Sequence, residues 1–323
     1  MPSVNLETGA TASSPGTPAL SPGAPRVVCV LGMHRSGTSL LTRVLNLLGV
    51  GLGPEGHLMP ADKFNPKGFW EHHGIVNLND EILETLGGTW RFLPKMPVGW
   101  ENDARLEDVK ARARELVKRE FGALNVWGWK DPRACVTLPF WRQVMPPMRY
   151  VMCFRNPLDC ARSMEHTMSI ETGVALWHRY VTEAIAQTAD GARLWMFYED
   201  FMEDWRGEMT RLADFVGLGE QARRPDALVS VVGFMDAELH HHRTRPQDVL
   251  SDARVSFAAK ALYLAIRQRV NTDRTRAGVR PAPREREVLD VAIAALSAQS
   301  MEAAPVSPQV HNGVEAPVGW TGD

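Results

Sequence analysis

Val27-Val28-Cys29-Val30-Leu31-Gly32-Met33-His34-Arg35-Ser36-Gly37-Thr38-Ser39-Leu40-Leu41 is the stretch whose reading decides the fold. It opens as an unbroken apolar run and passes through residues of mainly small and polar type. It then continues from Thr38 to Leu48 with apolar residues at 40, 41, 44, 45, 47 and 48. That change of period spells strand, tight loop, helix, the pattern of a βα unit. Free backbone N–H groups at the helix start, and the helix dipole, turn such a loop into an anion cradle. The plain alternative is a turn without a ligand. Two glycines, three hydroxyls and an arginine packed between apolar segments favour the ligand.

Gly32-x4-Gly37 has the spacing of a P-loop, but Thr38 stands where an NTPase places lysine. Ser39 falls where the magnesium-binding hydroxyl would sit, and the cation inside the loop is Arg35. The loop reads as a phosphate cradle without the standard equipment for ATP.

Outward from this stretch, β-rich runs at Arg26–Leu31, Asn125–Lys130, Arg149–Phe154 and Arg193–Tyr198 alternate with helical patterns. The helical patterns span Gly37–Leu48, Ile75–Leu86, Asn102–Phe121, Leu158–Thr167, Gly173–Ala189, Asp200–Val216 and Arg286–Ala298. Largely apolar strands covered on both faces predict a P-loop-like α/β fold, three-layer α/β/α with a central parallel sheet. Ligands of such sheets bind at the carboxyl ends of the strands, so functional residues are expected just after each one.

The chain has 323 residues, of which 44% are hydrophobic and 23% charged, with a formal net charge of −2. These values describe a globular protein able to bury a full core, and give no charge footprint for nucleic acid. Residues 1–25, rich in Pro, Ser, Gly, Ala and Thr, are expected to be disordered, as is the tail 303–323; the globular domain is expected at 26–302. The four cysteines (Cys29, Cys135, Cys153, Cys160) form no CxxC pair and read as reduced core thiols of a cytoplasmic protein. No apolar run is long enough to cross a bilayer, so no integral membrane segment is expected. The oligomeric state stays open.

Residues after the other strands converge on the same theme. Trp127-Gly128-Trp129-Lys130-Asp131-Pro132-Arg133 leaves Lys130 at a strand end, with Asp131-Pro132 as N-cap and first helical residue. Phe154-Arg155-Asn156-Pro157 repeats the cap-plus-proline start, and Ser163 follows Arg155 by eight residues. An arginine and a hydroxyl so placed suit a second phosphate. Tyr198-Glu199-Asp200-Phe201 follows the last strand, with Tyr198 at the edge of a nucleotide base or in the core and Asp200 as a helix cap.

As a set these segments resemble the sulfotransferases that use PAPS, 3′-phosphoadenosine 5′-phosphosulfate. Gly32–Ser39 resembles their 5′-phosphosulfate loop, and Arg155 with Ser163 their 3′-phosphate motif. Tyr198-Glu199-Asp200-Phe201, followed by Leu212, Phe215 and Gly217-Leu218, is similar to a later Tyr-Glu-Asp-Leu region ending in Phe-Leu-Gly-Leu. Residues 127–133 and Gly68-Phe69-Trp70-Glu71 are similar to bacterial members, which are related to the tyrosylprotein and carbohydrate types. Arg35 stands where cytosolic members carry lysine, as in the tyrosylprotein and many bacterial types. No late Arg-Lys-Gly segment is present; Arg243 or Arg245, after His240-His241-His242, is the substitute.

The resemblance implies an enzyme with PAPS as donor and PAP as product, needing no metal. Cofactor contacts fall to His34, Arg35, Ser36, Gly37, Thr38, Ser39, Arg155, Ser163, Tyr198 and Arg243, and Arg35 and Lys130 meet the charge on the leaving oxygen. The general base is Glu55, with Glu71 as rival and His72 and His73 behind it. The acceptor is a hydroxyl or amine of a small molecule or glycan, such as a carbohydrate, lipid or secondary metabolite. Trp70, Trp90 and Trp100 supply aromatic walls for it, although core packing explains tryptophans equally well. The His240–His242 run has no Cys or Asp cluster beside it and predicts no metal site. Two alternatives remain: a P-loop kinase or phosphotransferase, and a non-catalytic PAP- or nucleotide-binding module.

Overall fold

The computed structural model describes residues 25–63, 65–235 and 244–278. Four strands, β1 (Arg26–Leu31), β2 (Val126–Lys130), β3 (Met148–Phe154) and β4 (Arg193–Phe197), form one parallel sheet in the order β2-β1-β3-β4. In register, Val28 lies between Gly128 of β2 and Arg149 of β3. Each strand boundary falls within one residue of the sequence expectation.

Twelve α-helices accompany the sheet in the described residues. They are α1 (Thr38–Leu47), α2 (His73–Thr85), α3 (Glu107–Phe121), α4 (Ala134–Trp141), α5 (Pro157–Arg162) and α6 (Ile170–Gln187). After β4 come α7 (Tyr198–Glu203), α8 (Trp205–Val216), α9 (Gly219–Ala222), α10 (Pro225–Phe234), α11 (Pro246–Ser251) and α12 (Phe257–Arg276). Alternation along the strands divides the core in two. Val27, Cys29 and Leu31 face the layer of α2 to α6 and α12. Val28 and Val30 face α1, α8 and α10 on the other side. Both faces are therefore apolar, which is why the strands read as continuous hydrophobic runs. The chain steps from β1 to β2 on one side and to β3 on the other. A crevice opens at the carboxyl ends where the strand order reverses.

Several helix expectations need correction. The segment after β2 does not start its helix at Pro132: Asp131 accepts the Arg133 amide at 2.9 Å, and the helix begins at Ala134. Asn156 does cap α5, accepting from the Leu158 amide at 2.9 Å, but the helix ends at Arg162 instead of running to Thr167. Asp200 is not a cap. It lies inside α7, fully buried, because Arg267 Nη1 of α12 reaches its Oδ1 at 2.8 Å and Arg274 Nη1 reaches the same oxygen at 3.4 Å. Arg274 also pairs with Glu208 of α8 at 2.9 Å, and Glu208 with Arg211 at 2.5 Å. A sequence pattern expects an apolar stripe where Arg267, Asn271 and Arg274 are buried, so α12 was not legible as an amphipathic helix. For the opposite reason the extent of α4 was not legible beyond its expected start: nearly all of its residues are buried and it shows no polar face. The predicted helix Arg286–Ala298, both termini and the His240–His242 run lie outside the described residues.

All four cysteines are buried and unpaired. Burial drives the thiols of Cys29, Cys153 and Cys160 well above their ordinary range, and pushes Cys135 up to about 12. Since the thiolate is the nucleophile, native protein at about pH 8 should resist alkylation, with all four cysteines labelling together once denaturant unfolds the domain. Mass spectrometry of iodoacetamide-treated protein measures this. Rapid labelling of one cysteine in the native state would contradict the packing described here.

Candidate active site

Gly32 leaves β1 against β3 so closely that a Cβ on it would lie 2.4 Å from the Cys153 carbonyl oxygen. The loop then turns through left-handed backbone at Arg35 (φ 67°) and Gly37 (φ 93°). Ser36 closes the turn by donating its hydroxyl to the Met33 carbonyl at 2.6 Å, and the Cys153 thiol donates to the Ser36 carbonyl at 3.1 Å. Gly37 is the N-cap of α1, with no side chain bonding the first turn, which leaves those N–H groups for an anion. A side chain at Gly37 would strike the Tyr198 ring at 2.4 Å, so glycine is needed for space as well as for φ.

Lys130, at the end of β2, is 1% exposed, and its ammonium is fully engaged. It donates to the Phe69 carbonyl at 2.6 Å and the Ser39 hydroxyl at 3.1 Å, and forms an ion pair with Glu71. Ser39 in turn donates to the same Phe69 carbonyl at 3.1 Å. Burial lowers the Lys130 pKa and raises that of Glu71, and each charge pulls the other back. Next to Lys130, Asp131 takes Asn79 Nδ2 at 2.9 Å and Arg133 Nη1 at 3.0 Å, which fixes the turn.

Across the crevice, Arg35 Nε donates to the Ser163 hydroxyl at 2.8 Å, and Arg155 Nη1 donates to the Arg35 carbonyl at 3.0 Å. Thus the two motifs assigned by sequence to opposite ends of a cofactor touch one another. Arg155 also stacks over the Tyr198 ring, 4.7 Å from its centroid. Neither Arg35 nor Arg155 forms an ion pair among the described residues, and burial together with Arg155 lowers the Arg35 pKa. Two arginines in contact, with no ion-paired carboxylate among the described residues, suit an anion beside them.

These residues line one cavity of about 410 Å³. His34, Arg35, Gly37, Thr38, Ser39, Glu71, Lys130, Arg155, Ser163 and Tyr198 all contribute to its wall. Four wall residues each hold a buried polar atom with no hydrogen-bond partner among the described residues: His34 Nε2, Trp70 Nε1, Glu71 Oε2 and Arg155 Nε. Leaving such an atom unsatisfied costs about 1–3 kcal/mol, and on a cavity wall these four are placed where a ligand could satisfy them. His34 packs its ring on Trp90, with centroids 4.4 Å apart, and burial and the surrounding Arg133, Lys130, Arg35 and Arg91 push its pKa well below the usual imidazole value.

Other expected residues fall elsewhere. Ser36 is 1% exposed, its hydroxyl spent on Met33, and it is not part of the wall. Glu55 is exposed on a 3-10 turn (Glu55–His57) and stands apart from the cavity. Arg245 is exposed and paired with Asp248 at 3.1 Å, and Arg243 lies outside the described residues. Trp100 is a core residue, whereas Trp70 lines the cavity. Sequence reading missed Asn65, Lys67, Arg162, Phe234 and Met235, which also line it. Lys67 is held over the cavity by donating to the Phe234 carbonyl at 2.5 Å, a contact between segments 167 residues apart that leaves no local signal.

The Lys130–Glu71 pair predicts its own energetics. Lys130→Ala should destabilise the protein by about 3–5 kcal/mol, because it strands a buried carboxylate. Lys130→Met combined with Glu71→Gln should recover more than half of that loss. Urea denaturation of the single and double variants measures both, and strictly additive losses would contradict the coupling.

A family model described as "Sulfotransferase family" matches residues 25–221, more than half of the chain. No curated protein sequence matches. Among solved structures, the sulfotransferase domain of the Synechococcus PCC 7002 olefin synthase is 21% identical, covering 72% of this chain and 88% of that one, with a TM-score of 0.38. Sulfotransferase STF9 from Mycobacterium avium is 14% identical over 70% of each chain, with a TM-score of 0.39. A retinol dehydratase in complex with retinol and PAP is 16% identical, covering 72% of this chain and 69% of that one, at a TM-score of 0.33. The family model alone carries the assignment, and by it the chain belongs to the sulfotransferase family.

Proposed function

We propose that this protein transfers a sulfuryl group from PAPS to a hydroxyl or amine of a small-molecule or glycan acceptor. The observation that carries this reading is the Arg35–Arg155 pair, two arginines in contact and without an ion pair among the described residues, on a cavity that also holds Lys130 and the uncapped start of α1. A donor with anionic groups at both ends matches that distribution. The first-turn N–H groups with Thr38 and Ser39 receive the 5′ end, and Arg155 with Ser163 receives the 3′-phosphate, with Tyr198 beside it. Ser36 serves the loop's shape instead of the ligand.

In the transfer, the bond between sulfur and the bridging phosphate oxygen breaks as a bond from sulfur to the acceptor oxygen or nitrogen forms. Arg35 and Lys130 meet the charge that grows on the leaving oxygen. Lys130 reaches it by exchanging one of its present partners, among them Ser39 on the cradle itself. The acceptor's proton passes to Glu71, whose Oε2 is unpartnered on the cavity wall, whereas the exposed Glu55 is remote from it. Thr38, in the position of the NTPase lysine, disfavours the kinase reading.

Calorimetric titration with PAP, ADP and ATP tests the donor. PAP should bind about 10–100-fold more tightly than ADP, the worth of charged hydrogen bonds to one phosphate. Arg155→Ala should remove that preference while leaving ADP affinity near its original value. Equal affinity of the wild type for PAP and ADP would overturn the 3′-phosphate assignment. For the base, labelled PAPS incubated with a cell extract should yield sulfated products detectable by mass. Glu71→Gln should slow their formation about 10²–10⁴-fold with PAP binding intact, and Glu55→Gln should not slow it.

A further inference from the structure

We infer that His57, His72 and Glu120 form a binding site for a divalent transition metal of the zinc type, which ties down the base of the loop bearing Phe69, Trp70 and Glu71. The site stands apart from the cavity, since none of its three residues lines it, and the inference does not depend on the reading of the cavity.

Three elements converge there. His57 ends the 3-10 turn, and the next residue, Leu58, forms an antiparallel bridge with His72. Met59 extends the bridge by donating its amide to the Glu71 carbonyl at 2.8 Å. The segment 58–71 is thereby pinched at its base, with the two histidines at the pinch. Glu120 comes from the last turn of α3 and is 9% exposed.

The distances suit a metal. His57 Nδ1 lies 2.9 Å from Glu120 Oε2, His72 Nε2 lies 3.9 Å from the same oxygen, and all three ligand atoms fall within 4.8 Å of one another. Tetrahedral zinc with bonds of about 2.0–2.2 Å needs its donors about 3.3–3.6 Å apart, within reach of small side-chain shifts. The two imidazole rings are perpendicular, with centroids 5.7 Å apart.

A second observation is independent of this spacing. His72 is 5% exposed, and its Nε2 is buried without a hydrogen-bond partner. The ring cannot easily turn away, because Nδ1 accepts the Gly74 amide at 3.2 Å and Phe121 packs on it at 5.5 Å. The Gly74 contact assigns the ring proton to Nε2 in the metal-free protein. A cation at Nε2 requires the ring proton to move to Nδ1, which gives up the Gly74 bond. Glu120 is already oriented by Arg119, which donates to its other oxygen, Oε1, at 2.7 Å. Such outer contacts are what fix a metal ligand in place. Two imidazoles and one carboxylate favour zinc, cobalt or nickel over magnesium or calcium, and leave a fourth position for water.

The test uses full-length, tag-free protein stripped with chelator and titrated with Co²⁺ and Zn²⁺. The readouts are cobalt absorption, calorimetry and amide exchange over residues 58–71. One equivalent should bind and should slow exchange in that segment. Affinity for that equivalent should fall at least tenfold in His57→Ala and in Glu120→Gln. His57 has a half-exposed side chain, so its replacement leaves the fold intact. Any binding by His240–His242 is common to wild type and variants, so the difference between them is the measurement. Absence of binding in the wild type, undiminished binding in both variants, or binding without slowed exchange each overturns the inference.

Discussion

The buried pairing of Lys130 with Glu71 is the interaction on which the cavity depends. A lysine at the end of β2 is held by a carboxylate from a distant loop, by that loop's Phe69 carbonyl and by Ser39 of α1. One ammonium thus joins three segments that have no contiguity in sequence. In a low-dielectric setting neither charge is stable without the other, so the loop 65–71 is obliged to cover the strand ends. The cavity exists because that loop is drawn down, and its wall inherits the unpartnered Trp70 and Glu71 atoms from the same arrangement.

On the opposite wall the logic reverses. Arg35 and Arg155 are close, partly buried and without an ion pair among the described residues, a placement that stability alone does not favour. The cost is carried by the apolar sheet beneath, whose two faces are covered by separate cores. Behind β4, by contrast, buried arginines are ion-paired: Asp200 and Glu208 receive Arg267, Arg274 and Arg211, which seats α12 against α7 and α8. Paired charges hold the helices, and the two arginines without an ion pair among the described residues line the cavity.

Much of the wall was legible in the sequence, because a parallel sheet delivers strand ends to one edge. Val27–Leu31 with Gly32 and Gly37 announces a cradle from hydrophobicity and spacing alone, and Lys130 and Arg155 follow from where their apolar runs stop. Glu55 and Glu71 could not be separated that way. Both sit in irregular chain, where sequence carries no period, and only tertiary contact sets one on the surface and the other beside Lys130. Ser36 and Thr38 are likewise equivalent in the string of letters, but the left-handed turn at Arg35 sends the Ser36 hydroxyl to Met33, whereas Thr38 lines the cavity.

The sequence by itself determined the strands, the parallel sheet and the places of Arg35, Lys130 and Arg155 just after them, since these depend on local period and on the covering of both sheet faces. Tertiary structure decided which charges are neutralised and which are left open. Burial and partner distance set that balance, and neither is a property of neighbouring residues in the chain. For the same reason the site at His57, His72 and Glu120 was invisible before folding: its three residues lie 15 and 48 positions apart along the chain and meet only where segment 58–71 closes on α3.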